Sequence, residues 1–408
     1  MTDVTVDTAP ELHANSVSAI ARRRWEAWKA GDVGVMPVVL GLIVIVLFFY
    51  SQNENFLTAG NFTNLMVQMA AVTTIAIGVV FVLLLGEIDL SIGYVSGIAG
   101  VVVAKLQFPD GSWETTGIVA IVVAVIVTAL IGLFHGSFVA ILGVPSFVVT
   151  LAGLLFWQGV ILYSIGDQGV IVIDDSLVND VSNYFFSDTG GYVIAAIAIG
   201  LYALATLAGV LSRRRHEIFT DNVILVLVKL LGFSAIVLGA VWWANEERGF
   251  PVAFLLVIVL LVLWTWVAER TTFGRHVYAV GGNAEAARRA GINVRRIRIQ
   301  VFMISGAMAG LGGVIFASRL SSVDLNAGGG TILLDAIAAA VIGGTSLFGG
   351  RGRVISALMG SLVIATVANG IDLLGYSSAI KYMVTGAILL AAVTLDTVSR
   401  RRLERAGR

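Results

Sequence analysis

The feature that most constrains this chain is a set of long apolar runs without a single ionised side chain, at 33–50, 117–134, 193–211 and 252–268. Each approaches the roughly 20 apolar residues that cross a bilayer core at about 1.5 Å of rise per residue. Such a chain belongs in lipid. Because the runs are continuous, and do not alternate apolar and polar residues over about ten positions, the spanning elements are expected to be helices and not barrel strands. Composition agrees: 58% of the 408 residues are hydrophobic and 13% are charged, whereas soluble domains carry about a quarter charged residues.

Hydropathy places about a dozen spans, near 33–50, 64–86, 89–105, 116–142, 146–165, 191–211, 223–243, 251–268, 299–318, 333–349, 354–372 and 378–396, with ten to twelve compatible with the pattern. The expected fold class is all-α, a polytopic integral membrane helical bundle. Its parts are a polar tail at 1–32, a membrane domain at 33–396 with a long loop at 270–298, and a basic tail at 397–408. Lys and Arg collect in cytoplasmic loops, and with the N-terminus inside, 21 of the 26 basic residues fall on the inner side. They comprise Arg22, Arg23, Arg24 and Lys29, then Arg213, Arg214 and Arg215, then Arg270, Arg275, Arg288, Arg289, Arg295, Arg296 and Arg298, then Arg351 and Arg353, and five in the last tail. Both termini are therefore expected in the cytoplasm. The first apolar run exceeds the ~7–15 residue core of a secretory signal, and no small-x-small site follows at 51–56, so it is expected to be retained. At 166–190, Asp167, Asp174, Asp175, Asp180 and Asp188 stand without Lys or Arg, either as simple solvation or as a docking surface for an external partner.

Four histidines and no cysteine leave little basis for thiolate, redox or zinc chemistry. None of the four lysines, Lys29, Lys105, Lys229 and Lys381, follows a glycine, so the chain has no phosphate-cradling G-x-x-x-x-G-K-[ST] loop. No catalytic residue, metal or cofactor is expected. Glu87 and Asp89 flank Ile88 beside long apolar runs, and ionisable groups at membrane depth usually carry function. Near the inner surface, a capping or supporting role for Asp89 competes with contact to a ligand. His135 and Lys229 read as structural, the lysine snorkelling to the interface. Small residues four apart at Gly93 and Gly97, Gly132 and Gly136, and Gly306 and Gly310 predict close helix crossings.

Within the long loop, Asn283 is a natural N-cap, and Glu285 lies in a first turn where the helix dipole favours an acid. Arg288 and Arg289 fall in the last turn, and Gly291 is the stop. The pattern predicts a short exposed helix of about two turns, slim because of Ala284, Ala286, Ala287 and Ala290. By spacing alone it is equally an ordinary basic loop that happens to be helical.

The stretch GGNAEAARRAGINVRRIRI at 281–299 resembles the EAA-type cytoplasmic loop of ABC importer permeases, in the branch that carries ribose, arabinose and xylose. GEIDLSIG at 86–93, VPSFVVTLAGLLFWQGV at 144–160 and VIGGTSLFGGRG at 341–352 resemble the same branch in order and spacing, and the extra span near 223–243 resembles its xylose-type members. The resemblance implies that the loop helix couples the bundle to a separate cytoplasmic ATPase, through Glu285, Ala286, Ala287, Arg288 and Gly291, with Asn283 and Asn293 as caps. It further implies a second copy of the chain, an extracytoplasmic sugar-binding protein, a monosaccharide substrate and a bacterial cell membrane as the lipid bilayer; no nucleic acid is expected. Glu87 departs from the glycine common at its place in the family. The segments 86–93 and 343–352 are candidate breaks inside the membrane, and glycine-rich breaks are allowed at that depth only beside protein or a water-filled cavity. Gly86, Glu87, Asp89, Ser91 and Gly93, with Gly343, Gly344, Thr345 and Ser346, are therefore candidate pathway linings, and Asn369 is a further one. Asn64, Gln68, Thr73, Thr74, Gln158, Ser305 and Asn369 are further polar residues in or near spans that can offer hydrogen bonds to sugar hydroxyls. An ion-coupled secondary sugar transporter is the alternative, but it expects ionisable groups near the midplane, and the spans are nearly empty of them.

Overall fold

The computed structural model describes residues 36–107, 115–215 and 223–405. The expected tail at 1–32 lies outside the described residues, as do positions 33–35 of the first expected span and 406–408 of the last tail. The described chain forms fifteen α-helices and a two-stranded sheet, in two compact units. Among the described residues, the larger unit holds 36–107, 115–185 and 251–397, and the smaller holds 186–215, 223–250 and 398–405.

In the larger unit the helices are α1 (Met36–Gln52), α2 (Ala59–Leu84), α3 (Ile92–Leu106), α4 (Gly117–Ser137), α5 (Ser146–Ile165) and α6 (Ser176–Asn183). The smaller unit is the hairpin of α7 (Asp188–Arg215) and α8 (Val223–Asn245). The larger unit resumes with α9 (Val252–Arg270), α10 (Thr272–Gly282), α11 (Ala284–Arg289), α12 (Val294–Leu320), α13 (Ile332–Ile342), α14 (Ile355–Leu373) and α15 (Ser378–Arg405), of which α15 runs on into the second unit. Eight of these are long and apolar enough to cross a bilayer, and Met36–Gln52, Ile92–Leu106, Ile332–Ile342 and Ser378–Thr394 are shorter apolar helices. The bundle is thus all-α and membrane-embedded, with eight spans by length and composition among the described residues.

Burial divides the helices by role. In α2 the most apolar window is 89% buried, against 6% in α7 and in α8. The first is therefore the centre of its unit, whereas α7 and α8 pack on each other, with Tyr202 and Phe233 rings 4.3 Å apart, and are otherwise largely exposed. At the heart of the larger unit α12 packs against α4, α2 and α3. The contact with α4 is close because glycines interlock. A Cβ on Gly132 would run into the Phe302 carbonyl, and one on Gly306 would run into that of Thr128. The small-residue spacing therefore reports a helix crossing at these two pairs, as expected.

The third pair behaves differently. A Cβ on Gly97 would strike the Ala327 carbonyl and one on Gly93 would lie 2.8 Å from the Gly328 oxygen. The neighbour is an extended segment. After α12 the chain turns through β2 (Ser322–Asp324), which pairs antiparallel with β1 (Val170–Val172), and 325–331 runs back along α3 before α13 begins. With eleven residues, α13 is about 16 Å long, half of a ~30 Å core. The helix expected within 333–349 ends at Ile342, where the glycine break weighed for 343–352 begins, and extended chain packed on the α3 glycines precedes it. The spans expected at 64–86 and 89–105 likewise separate at a non-helical turn over 85–91.

The acidic loop is folded. Asp175 caps α6 by accepting from the Val178 N–H at 3.0 Å and also accepts from the Gly117 N–H at 3.1 Å. Ser182 donates to the Ile315 carbonyl at 2.8 Å, which fastens α6 to the far end of α12. Asp167, Asp174 and Asp180 stay exposed.

Candidate functional site

The end of the bundle that carries 270–298 is basic: Arg270, Arg275, Arg288, Arg289, Arg295, Arg296, Arg351 and Arg353 are all exposed there. The loop helix α11 forms for local reasons. Asn283, extended at φ −160°, accepts the Ala286 N–H at 2.9 Å. Glu285 pairs with Arg288 and Arg289 at 3.3 and 3.2 Å, one turn on. Gly291 then takes φ +85°, a conformation that costs a residue without Cβ little. Its N–H bonds the Arg288 carbonyl and that of Ile292 bonds the Ala287 carbonyl, both at 3.0 Å. These two bonds are the Schellman arrangement that ends helices. Asn293 caps the next helix by accepting the Arg296 N–H at 3.0 Å. Glu285, Ala286, Arg288 and Gly291 are exposed, whereas Ala287 is 5% exposed and faces the protein. A helix of six residues is about 9 Å long, shorter than the two turns expected.

Immediately before it, three glycine-bearing segments meet. A Cβ on Gly281 would overlap the Leu84 carbonyl and lie 2.9 Å from the Gly350 nitrogen. Gly350 donates to that same Leu84 carbonyl at 2.9 Å. A Cβ on Gly349 would lie 2.9 Å from both the Gly281 oxygen and the Gly86 nitrogen. The end of α10, the turn after α2 and the 343–354 loop thus touch backbone to backbone. Tyr278 adds a bond from its hydroxyl to the Gly352 carbonyl at 2.9 Å, and Arg353 pairs with Glu269 at 3.0 Å. Burial and, next, the Glu269 carboxylate push the Tyr278 phenol above its ordinary value, against the opposing pull of Arg353. The hydroxyl therefore remains a donor across the neutral range.

The turn over 85–91 is held from several sides. Glu87 forms an ion pair with Arg298 of α12, Oε1 to Nε 3.1 Å. The Ile88 N–H bonds Ser146 Oγ at 3.2 Å, and its carbonyl accepts from Thr150 at 3.3 Å. Asp89, 8% exposed, accepts three hydrogen bonds: from the Ser91 N–H at 3.0 Å, the Ser91 hydroxyl at 2.7 Å and the Ser305 hydroxyl at 3.1 Å. Trp157 Nε1 donates to His135 Nε2 at 3.2 Å. That assigns the ring proton to Nδ1, which donates to Ser91 Oγ at 3.2 Å. Asp89 and His135 are accordingly parts of one hydrogen-bonded network.

The other residues expected at the pathway are placed as follows. Ser346 Oγ accepts from the Phe348 N–H at 3.3 Å, and Thr345 is 1% exposed with no partner for its hydroxyl. Gly344 takes φ +103°, and a Cβ on Gly343 would overlap the Ser356 carbonyl. The structure therefore brings 86–91 and 343–352 together. Asn369 lies apart from them. It exchanges two 2.8 Å bonds with Asn61 near the start of α2, a helix length away from Gly86. Thr73 and Thr74 bond carbonyls of their own helix. Sequence reading missed Arg298 and Tyr278 as partners of the turns; both contacts join residues far apart in the chain, and no local signal marks them.

The model of a protein family described as "branched-chain amino acid transport system / permease component" matches residues 61–393. The xylose transport system permease protein of Escherichia coli strain K12 is 37% identical over 375 residues, 92% of this chain and 94% of that protein. The ribose import permease protein of the same strain is 32% identical over 359 residues, 88% of this chain and 92% of the relative. Its D-allose transport system permease protein is 31% identical over 354 residues, 87% and 88% of the two chains. No solved structure matches the chain. A membrane bundle ending in a capped basic loop helix, matched along most of its length by sugar permeases, belongs to this permease family, in its ribose, arabinose and xylose branch, as a multi-pass transport component of a sugar ABC importer.

Proposed function

We propose that two copies of this chain enclose an alternating-access path through which xylose or a related monosaccharide enters the cell. A separate cytoplasmic ATPase drives the cycle, and an extracytoplasmic binding protein delivers the sugar. The observation that carries this reading is α11. It is a doubly capped helix whose Glu285, Ala286 and Arg288 face outward, and it begins three residues after Gly281 of the glycine junction. A partner that grips α11 can therefore move the turns at 85–91 and 343–354 together. The loop at 270–298 and both termini are cytoplasmic in this arrangement, since basic residues are retained on that side. The two turns, with Gly86, Asp89, Ser91, Gly343 and Thr345, form the inner closure of the path. Gly93 supports it by packing on 327–328, and Asn369 belongs to a packing contact with Asn61.

Ala286→Trp combined with Glu285→Lys tests the reading. The exposed face of α11 is changed, whereas its caps and buried Ala287 are kept. Membrane accumulation is expected to match the wild type while ATPase co-purification and ATP-driven sugar uptake both fall at least tenfold. Normal uptake by a variant so altered would remove α11 as the ATPase seat.

A further inference from the structure

Two acids two residues apart, Glu87 and Asp89, lie on the turn between α2 and α3, and both are held by α12. Glu87 pairs with Arg298, and Asp89 accepts from Ser305. Arg298 and Ser305 are seven residues apart, which places them on one face of the helix about two turns from each other. The Glu87 side chain is 14% exposed and that of Arg298 31%. Each is more enclosed than its counterpart in the Glu285–Arg289 pair, at 56% and 81%, or the Glu269–Arg353 pair, at 36% and 66%. An enclosed pair resists loss of one partner because the other charge is left without compensation. The Arg298 Nε–H is not aimed along a hydrogen bond, so this contact is an ion pair by distance.

Arg298 stands in the second turn of α12, whose first residues follow directly from α11 through the Gly291 stop and the Asn293 cap. A displacement of α11 therefore reaches Arg298 through the short capped link at 290–293 and the first turn of α12. The α2 side of the same turn is reached separately, through Gly281 against Leu84. The Ser305–Asp89 bond lies deeper, inside the buried network, and holds the far edge of the turn.

We infer that Glu87 is a positioning residue for transport: through Arg298 it ties the α2–α3 turn to the base of α12, so that motion of the loop helix moves the turn with it. The charge of the pair carries this tie. The inference rests on the reading of α11 as the seat of an ATPase, and it adds a residue pair to that reading.

The experiment uses the full transporter in proteoliposomes, with its ATPase and binding protein, and follows labelled xylose taken up per ATP hydrolysed. A purely structural pair, when weakened, lowers the amount of folded transporter and leaves this ratio alone. Glu87→Gln and Arg298→Gln are each expected to lower the ratio at least fivefold, while the swap Glu87→Arg with Arg298→Glu recovers at least half of the wild-type ratio. An unchanged ratio in both single variants, or a swap no better than either, overturns the inference. If a single variant is lost from the membrane, the swap is compared with the doubly neutral Glu87→Gln, Arg298→Gln protein. A threefold advantage for the swap supports the tie, and equality overturns it. Wild-type uptake that needs no ATP removes the coupling reading and this inference with it, whereas an ATP-driven wild type with insensitive variants overturns the inference alone.

Discussion

Gly281→Ala is expected to strip the membrane of folded protein or lower its stability by about 3 kcal/mol or more, at the top of the range for overpacking a closed site. The added methyl has nowhere to go. It would overlap the Leu84 carbonyl and approach the Gly350 nitrogen, and both are backbone atoms that a rotamer change cannot move. Leu84 O also receives the Gly350 N–H, so any shift that relieves the overlap breaks the contact joining the two turns. Gly282, the next residue, is a matched control because nothing lies within 4 Å of its Cβ position. Gly282→Ala is expected within about 1 kcal/mol of the wild type. Thermal unfolding of the two purified variants in detergent, with membrane levels measured alongside, separates them. Equal stability would mean that the three segments are not in backbone contact.

Asp89→Ala carries the other large effect. It removes the acceptor of three hydrogen bonds and leaves the Ser91 and Ser305 hydroxyls to find new partners in a buried place. Each unsatisfied buried donor costs about 1–3 kcal/mol, so a loss of about 3 kcal/mol or more is expected. Asp89→Asn keeps the shape and one acceptor oxygen and is expected to lose about half as much. The contrast is Glu285→Ala, which breaks two exposed ion pairs worth at most about 1 kcal/mol. The order Asp89→Ala, Asp89→Asn, Glu285→Ala in unfolding midpoint checks the network. Under the proposed coupling role of α11, Glu285→Ala is expected to lower transport far more than it lowers stability.

What the sequence made legible follows the range of the interactions involved. The α11 caps are local: Asn283 and Gly291 act on backbone groups within a few residues, so spacing alone located both ends of the helix. The longest apolar runs likewise announced the bundle, because their length and lack of charge mark membrane helices. The α13 region was legible in part: its glycines marked the break at 343–352, but nothing marked the extended chain before the helix. Positions 333–349 are nearly uncharged, and hydropathy does not distinguish a full span from an eleven-residue helix followed by a glycine loop. At Gly93 and Gly97 the spacing correctly signalled close approach, but a missing Cβ admits an extended chain as readily as a helix. Least legible were the contacts that define the junction. Glu87–Arg298 joins residues 211 positions apart and Ser91–His135 joins residues 44 apart, and neither residue type is unusual enough to name its partner.

The most direct test of the account is xylose uptake into proteoliposomes that contain this chain, alone or together with its cognate ATPase and binding protein, with ATP enclosed or omitted and with or without an imposed ion gradient. Uptake is expected only when the partners and ATP are present together, and it should be indifferent to the gradient. Uptake by the chain alone, driven by an ion gradient and unaffected by ATP, would contradict the account.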